Sequence, residues 1–259
     1  MTFTPSHRGG EGPPLVLLHG FIESWRTWEL VLPALERRHD VLAVTLAGHA
    51  GGPPIDTVTD AAIADAVEAA MDAAGFGTAH VAGNSLGGYV ALQLAARGRA
   101  RTVVALAPAG GWDDDSYKDV LGLQSELIEQ MRAAAPHAEA ILATPEGRRR
   151  ATSLITVRFE HIPGELLAHL LRAGAAAEAA PALIEHALRA GWHVDAERIT
   201  CPVRIVWGTA DRLLPWPAAA ARFRHEWLPH ADWVMLDGVG HEPQLDVPLE
   251  TAQLILGFT

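Results

Sequence analysis

The chain contains 259 residues, of which 49% are hydrophobic and 20% are charged, and its formal net charge is −11. These values predict a soluble protein with one large core and room for an inserted subdomain. The acidic balance, without a long basic run, is not typical of proteins that bind nucleic acid or anionic membranes. The single cysteine, Cys201, excludes an internal disulfide. No apolar run is long enough to span a membrane, and residues 1–12 lack the apolar stretch of a signal peptide, so we expect a cytoplasmic protein.

Short apolar runs alternate with amphipathic segments over the first part of the chain. The runs are nearly free of polar residues, which is typical of strands buried on both faces of a parallel sheet. Pro33 lies inside the first amphipathic segment and predicts either a kink or two shorter pieces there. The pattern predicts strands over 14–18, 40–46, 79–82 and 102–107, and helices over 25–38, 57–74 and 89–97.

The alternation stops between residues 112 and 195, where several helical segments are divided by prolines. We interpret this stretch as a cap or lid, and the alternative is that its helices continue the layers of the core. The alternation resumes with predicted strands over 202–207 and 232–236 and helices over 217–227 and 249–258. The sequence therefore predicts an α/β fold with a three-layer, mostly parallel sheet, in which residues 1–111 and 196–259 form the core and residues 112–195 form an all-helical cap.

A serine flanked by glycines stands between a predicted strand and a predicted helix. Gly83, Ser85 and Gly87 form the pattern G-x-S-x-G. A serine on a tight strand-to-helix turn projects its hydroxyl out of the fold, and crowding at the flanking positions favours glycine. The following helix directs its dipole at the site where negative charge develops during acyl transfer. The pattern predicts a nucleophilic Ser85, and the alternative is a glycine-rich turn with a capping serine.

Two further polar residues complete a catalytic set with Ser85. Asp211 and His241 each stand a few residues after a predicted strand. Because the carboxyl ends of parallel strands meet at one edge of a sheet, we expect the three side chains to lie together. His241 would accept the serine proton, and Asp211 would orient the imidazole and stabilise its charged form. Asp237 and Asp232 are the alternative acids, but Asp237 is too close in sequence to His241 to orient it easily.

Two backbone amides at the same edge are candidates for an oxyanion hole. Gly20 follows the first predicted strand and allows a sharp turn, so that the amide of Phe21 can face the site. Leu86 directly follows the serine, and its amide is the natural second donor. We expect these two N–H groups to bind the negative charge of a tetrahedral intermediate.

These residues together resemble the motifs of the α/β-hydrolase fold superfamily. The matching residues are His19-Gly20, Gly83-x-Ser85-x-Gly87, Asp211 and Gly240-His241. The resemblance covers nearly the whole chain and implies a serine-nucleophile, esterase-like member with a helical cap. The dehalogenases and epoxide hydrolases of the superfamily carry an aspartate at the nucleophile position, so Ser85 argues against both activities. Residues 45–52 depart from the Asp-x-x-Gly-x-Gly-x-Ser pattern of many relatives, and we expect an altered loop near the site entrance.

Six residues near the predicted oxyanion hole or within the predicted cap are candidates for the pocket wall. They are Glu23, Trp25, Trp112, Leu121, Leu127 and Trp192. The alternative is an ordinary helix start for the first two and simple packing within the cap for the others. No histidine pair has the spacing of a zinc-binding helix and no cofactor motif is visible, so we expect neither a metal nor a cofactor.

The predicted triad and oxyanion donors indicate a serine hydrolase. We expect it to cleave carboxylic esters of small to medium, partly apolar substrates through an acyl-serine intermediate. One alternative is a C–C bond hydrolase or a cofactor-free lyase with the same triad, and Asn84 resembles a variant found in C–C hydrolases that act on ring-cleavage products. Another alternative is a non-catalytic module that binds small molecules on the same fold. We expect a small-molecule substrate as the partner, no nucleic acid, no membrane, and a monomer or homodimer.

Overall fold

A computed structural model describes residues 2–259 and contains one seven-stranded sheet. The strands are β1 (Ser6–Gly9), β2 (Pro14–Leu18), β3 (Asp40–Val44), β4 (Ala79–Asn84), β5 (Ala100–Leu106), β6 (Val203–Gly208) and β7 (Asp232–Leu236). Their order across the sheet is β1-β3-β2-β4-β5-β6-β7. The edge strand β1 is antiparallel to β3, and all other neighbours are parallel. The predicted mostly parallel α/β fold is therefore confirmed.

Helices pack on both faces of the sheet and fill the stretch between β5 and β6. Those outside that stretch are α1 (Leu32–Leu35), α2 (Ala62–Ala73), α3 (Leu86–Ala96), α9 (Pro243–Asp246) and α10 (Pro248–Leu256). Between β5 and β6 lie α4 (Tyr117–Ala134), α5 (Ala138–Leu142), α6 (Pro145–Thr152), α7 (Gly164–Ala175) and α8 (Ala180–Ala190), with no strand among these described residues. We call residues 112–195 the helical insertion. Across residues 2–259, no helix combines the length and the apolar character needed to cross a bilayer.

The side chains of β2 explain why the parallel strands are apolar on both faces. Leu15 and Leu17 pack in one hydrophobic core together with Trp28 of the following turn, whereas Val16 and Leu18 pack in the other core against α2 and α3. Each of the four strand residues is fully buried. Since successive side chains of a strand point to opposite faces, a strand covered on both sides has no position for a solvated polar residue. The chemistry-bearing residues are therefore confined to the strand ends.

Several elements differ from their predicted bounds. Strand β1 was not predicted from the sequence. It lies at the edge of the sheet and pairs only with β3, so its residues are polar and show no apolar pattern. The helix predicted over 25–38 consists of a 3₁₀ turn at Trp25–Trp28 and the short α1, in which Pro33 lies in the first turn. The helix predicted over 217–227 is a 3₁₀ turn at Ala218–Ala220 followed by a π turn at Phe223–Trp227.

Candidate active site

Ser85 occupies a strained turn between β4 and α3. Its φ of 53° and ψ of −115° lie in a region that residues other than glycine rarely adopt. The turn is held by hydrogen bonds from the Ser85 amide to Leu106 O (2.9 Å) and from the Tyr89 amide to Ser85 O (3.0 Å). A Cβ at Gly83 would overlap the carbonyl of Gly87, and a Cβ at Gly87 would overlap the carbonyl of Leu18. The glycines are therefore required by the close approach of α3 to the sheet.

His241 and Asp211 form a buried pair at the same end of the sheet. His241 Nδ1 lies 2.8 Å from Asp211 Oδ2, and both side chains are almost completely buried. The other oxygen of Asp211 accepts hydrogen bonds from the amides of Leu213 (2.9 Å) and Leu214 (2.7 Å). These two amides fix the carboxylate, so that one oxygen remains for the imidazole. A carboxylate on Nδ1–H selects the tautomer that leaves Nε2 free to accept a proton.

The two alternative acids are engaged elsewhere. Asp237 accepts a hydrogen bond from Thr209 Oγ1 (3.1 Å) in an exposed position. Asp232 is paired with Arg204 at 2.6 Å, also at the surface. Only Asp211, among the three acids considered, contacts the histidine ring.

His241 Nε2 is buried and makes no hydrogen bond within residues 2–259. The nitrogen that would act on Ser85 is therefore unoccupied. Asn84, the residue before Ser85, donates a hydrogen bond from its side-chain amide to His241 O at 3.0 Å. This bond holds the His241 loop next to the Ser85 turn. Hydrogen bonds between nucleophile and base are often long in free enzymes and shorten when substrate binds.

The two predicted oxyanion donors are unpaired within the described residues. Neither the amide of Phe21 nor that of Leu86 takes part in a backbone hydrogen bond. Leu86 is the first residue of α3, where an N–H has no partner inside the helix. Phe21 lies in the oxyanion loop (residues 19–23), in which Ile22 has a positive φ of 57°. That conformation is strained for a β-branched side chain, and other contacts must hold the loop in place.

His19 holds the oxyanion loop from below. Its Nε2 accepts a hydrogen bond from the amide of Leu46 (2.8 Å), and its Nδ1 donates to Gly20 O (2.6 Å). Complete burial, with a smaller contribution from the nearby His49 ring, lowers the pKa of His19 well below its ordinary value. The neutral ring therefore links the loop after β2 to the loop after β3.

Glu23 and Glu242 form a buried carboxyl pair behind the oxyanion loop. Glu23 Oε2 accepts a hydrogen bond from the Gly20 amide (2.9 Å), and the Thr27 hydroxyl lies 3.4 Å from Glu23 Oε1 and 3.3 Å from Glu242 Oε2. Burial raises the pKa of both groups, and the charge of Glu23 raises that of Glu242 further, to well above its ordinary value. Burial therefore disfavours the charged form of both groups, most strongly at Glu242, and the pair connects the oxyanion loop to the residue after His241.

Two buried amides complete this connection. Gln244 Nε2 lies 3.2 Å from Asn84 Oδ1 and 3.3 Å from Thr27 Oγ1, and Asn84 Nδ2 donates to Leu106 O (3.1 Å) as well as to His241 O. Glu242 and Gln244 are not among the site residues predicted from the sequence. The signal was available, since both are polar residues within three positions of His241.

The raised pKa of Glu242 predicts a specific pH dependence of stability. The folded-state pKa lies above the ordinary glutamate value of 4.5, so this group contributes stability that is lost as the pH rises from about 4.5 towards the raised value. We expect Glu242→Gln to become progressively more stable relative to the wild type over that interval, by up to about 1.4 kcal/mol per pH unit. The free energy of unfolding in urea, measured from pH 5 to 9, checks this expectation. The exposed Glu250→Gln serves as the control and should follow the wild type, and parallel curves for Glu242→Gln would contradict the assignment.

A cavity of about 820 Å³, including its open mouth, lies between the Ser85 turn and the helical insertion. Ser85, Phe21 and Leu86 line it together with three of the predicted wall residues, namely Trp112, Leu121 and Trp192. The cavity thus connects the nucleophile and both oxyanion residues to a largely aromatic and aliphatic space.

The other three predicted pocket residues lie outside this cavity. Glu23 is drawn behind the loop by its hydrogen bond to the Gly20 amide. The Trp25 ring stacks on His7 at a centroid distance of 5.1 Å. Leu127 lies on α4, turned about 120° from Leu121 around the helix axis, so it faces away from the cavity.

Comparison with known proteins places the chain in one family. Residues 15–254 match the model of the Alpha/beta hydrolase family. The chain is 34% identical over 209 residues to epoxide hydrolase EphH of Mycobacterium tuberculosis, which covers 78% of this chain and 95% of that protein. It is 29% identical over 261 residues to a pimeloyl-[acyl-carrier protein] methyl ester esterase of Aromatoleum aromaticum, with coverages of 94% and 96%.

Among solved structures, the meta-cleavage product hydrolase CumD of Pseudomonas fluorescens IP01 superposes with a TM-score of 0.72 at 19% identity. The match covers 97% of this chain and 92% of that chain, and it concerns the fold alone. The family match extends from β2 to α10 and includes the Ser85, Asp211 and His241 loops. The chain therefore belongs to the alpha/beta hydrolase family.

Proposed function

We propose that this hydrolase cleaves carboxylic esters through an acyl intermediate on Ser85. The observation that carries the proposal is the strained Ser85 turn, which faces the cavity beside the buried His241–Asp211 pair and two unpaired amides. A nucleophile, an oriented base and preorganised oxyanion donors are the three parts that acyl transfer requires.

The reaction follows from these positions. His241 Nε2 accepts the proton of Ser85 Oγ while Oγ attacks the carbonyl carbon, and the amides of Phe21 and Leu86 bind the resulting oxyanion. The tetrahedral intermediate collapses, the alcohol leaves with the proton from His241, and the acyl group remains on Ser85. Water then attacks the acyl carbon with His241 as base, which releases the carboxylic acid and restores the serine.

The chemistry of serine favours an ester over an epoxide, although one relative is named an epoxide hydrolase. Attack of a carboxylate on an epoxide forms an ester, which water can cleave at its carbonyl carbon. Attack of Ser85 Oγ on an epoxide would break the ring C–O bond to give an alkoxide and leave an ether on Ser85, which has no carbonyl carbon for water to attack. Of the two substrates, only the ester gives an intermediate that water can cleave to regenerate Ser85.

Asn84 supports no narrower assignment to C–C bond cleavage. Its side-chain amide is bound to Leu106 O, His241 O and Gln244, away from the cavity. It holds the histidine loop and does not line the cavity. The largely apolar cavity wall instead supports a small to medium, partly apolar ester.

A substrate panel tests the proposed reaction. We expect turnover of p-nitrophenyl acetate and butyrate with kcat on the order of 1 s⁻¹ or above, and no consumption of styrene oxide. Release of p-nitrophenol and disappearance of the epoxide are measured in parallel on the same preparation. Consumption of the epoxide without turnover of either ester would contradict the proposal.

A further inference from the structure

Gln124 is a buried polar side chain in the otherwise apolar part of the cavity wall. It lies on α4, is only 9% exposed, and lines the cavity next to Leu121 on the same face of the helix. In residues 2–259 its side-chain amide makes no hydrogen bond to another protein group and borders the cavity. Its polar atoms are not among the solvent-excluded ones, so the amide is open to the cavity and can pair with a ligand that displaces cavity water.

Most other hydrogen-bonding side chains of the wall are satisfied within the protein or exposed, and the exception is the indole Nε1 of Trp192, which is buried and has no partner in residues 2–259. His186 Nε2 lies 2.6 Å from Asp60 Oδ1, and Gln93 Nε2 donates to Asp60 O at 3.1 Å. The Tyr89 hydroxyl donates to His193 O at 2.8 Å. Apart from the nucleophile Ser85 and the donor-only Nε1 of Trp192, Gln124 is therefore the buried polar side chain of the wall that remains available to a ligand, and of these it offers an amide donor together with a carbonyl acceptor.

The electrostatics of the wall indicate which chemical group would meet this amide. No lysine or arginine lines the described cavity, and the Asp60 carboxylate and the His186 imidazole of its wall are paired with each other. An anionic substituent would therefore be desolvated without a counter-charge. A side-chain amide offers both a donor and an acceptor, which suits a neutral carbonyl, ether or hydroxyl oxygen.

We propose that Gln124 is a specificity-determining residue and that the substrate is an ester carrying a neutral hydrogen-bonding oxygen in the part that contacts α4. This inference rests on the proposed ester hydrolysis at Ser85. A purely hydrocarbon substrate would displace water from the Gln124 amide and leave it unpaired, whereas an oxygenated substrate replaces the lost hydrogen bond. A site that hydrogen bonds to a polar group of its substrate strongly rejects an analogue without that group, because the protein's own polar atom is left unpaired. An apolar pocket discriminates less strongly against a substrate that carries an additional group.

The test compares matched esters in matched variants. The esters are p-nitrophenyl hexanoate and its 4-oxo and 5-oxo analogues, and the variants are Gln124→Met, which keeps the length of the side chain, and Gln130→Met. Gln130 lies on the same helix, is exposed, and does not line the cavity. The wild type and Gln130→Met are expected to prefer at least one oxo ester by about 10- to 100-fold in kcat/KM.

In Gln124→Met we expect this preference to disappear, with kcat/KM for the oxo ester falling and that for the hexanoate unchanged or raised. Turnover of the hexanoate by the variant shows that it is folded and retains its triad. Equal selectivity in the wild type and in Gln124→Met would overturn the role of Gln124 while leaving ester hydrolysis intact. Failure of the wild type to hydrolyse any of the three esters would overturn the proposed function and this inference with it.

Discussion

Replacement of Ser85 by alanine is expected to lower kcat for p-nitrophenyl butyrate by a factor on the order of 10⁴ or more. The variant retains His241, Asp211 and both oxyanion amides, but it has no atom that can form the acyl intermediate. The oxyanion hole and substrate binding account for the residual rate. Steady-state turnover of the two proteins at saturating ester gives the ratio directly.

The fold of Ser85→Ala is not expected to change. Alanine has the same Cβ as serine, and the hydrogen bonds that hold the Ser85 turn come from backbone groups, which the replacement leaves in place. The midpoint of thermal unfolding should therefore be close to that of the wild type, because both residues hold the same strained backbone conformation. A variant that keeps full turnover with an unchanged midpoint would exclude Ser85 as the nucleophile.

Replacement of Asp211 by asparagine is expected to lower kcat by about 10⁴-fold, because it favours the tautomer of His241 that cannot accept the serine proton. The amides of Leu213 and Leu214 both donate to Oδ1, so the new amide oxygen will occupy that position. Its NH₂ group then faces His241 Nδ1, which must accept a hydrogen bond instead of donating one. The imidazole proton moves to Nε2, and that nitrogen can no longer accept the serine proton.

Asp237→Asn is the matched control for this prediction. Asp237 is exposed, hydrogen bonded to Thr209, and precedes His241 by four residues. We expect its replacement to change kcat less than twofold (about the scatter for surface substitutions). If the large loss followed Asp237→Asn and not Asp211→Asn, the acid of the triad would have to be reassigned.

The fold and the positions of the reactive groups could be predicted because both follow from local pattern. Strands β2 and β4 are runs of apolar residues that end abruptly at polar or glycine residues, and the parallel arrangement brings those ends to one edge. Gly83 and Gly87 mark the turn at Ser85 because any side chain there would overlap the backbone of a neighbouring element. Asp211 and His241 could then be predicted as acid and base, because each follows a later strand of the same sheet in the order serine, aspartate, histidine.

The surroundings of the site could not be predicted in the same way, because they depend on which elements pack together. Glu23 follows the oxyanion loop in sequence, but its carboxyl turns to the Gly20 amide and to Glu242, which is more than 200 residues away along the chain. Helical periodicity places Leu121 and Gln124 on one face of α4 but does not say that this face meets Ser85. The composition of a strand that forms only edge hydrogen bonds, such as β1, is equally uninformative.

Covalent labelling tests the central claim most directly. The wild type, Ser85→Ala and Asp211→Asn are treated with a fluorophosphonate, and the intact mass and the modified peptide are determined by mass spectrometry. We expect one label per wild-type chain, attached to Ser85, no label on Ser85→Ala, and slow labelling of Asp211→Asn. Labelling of another residue, or equal labelling of Ser85→Ala, would contradict this claim.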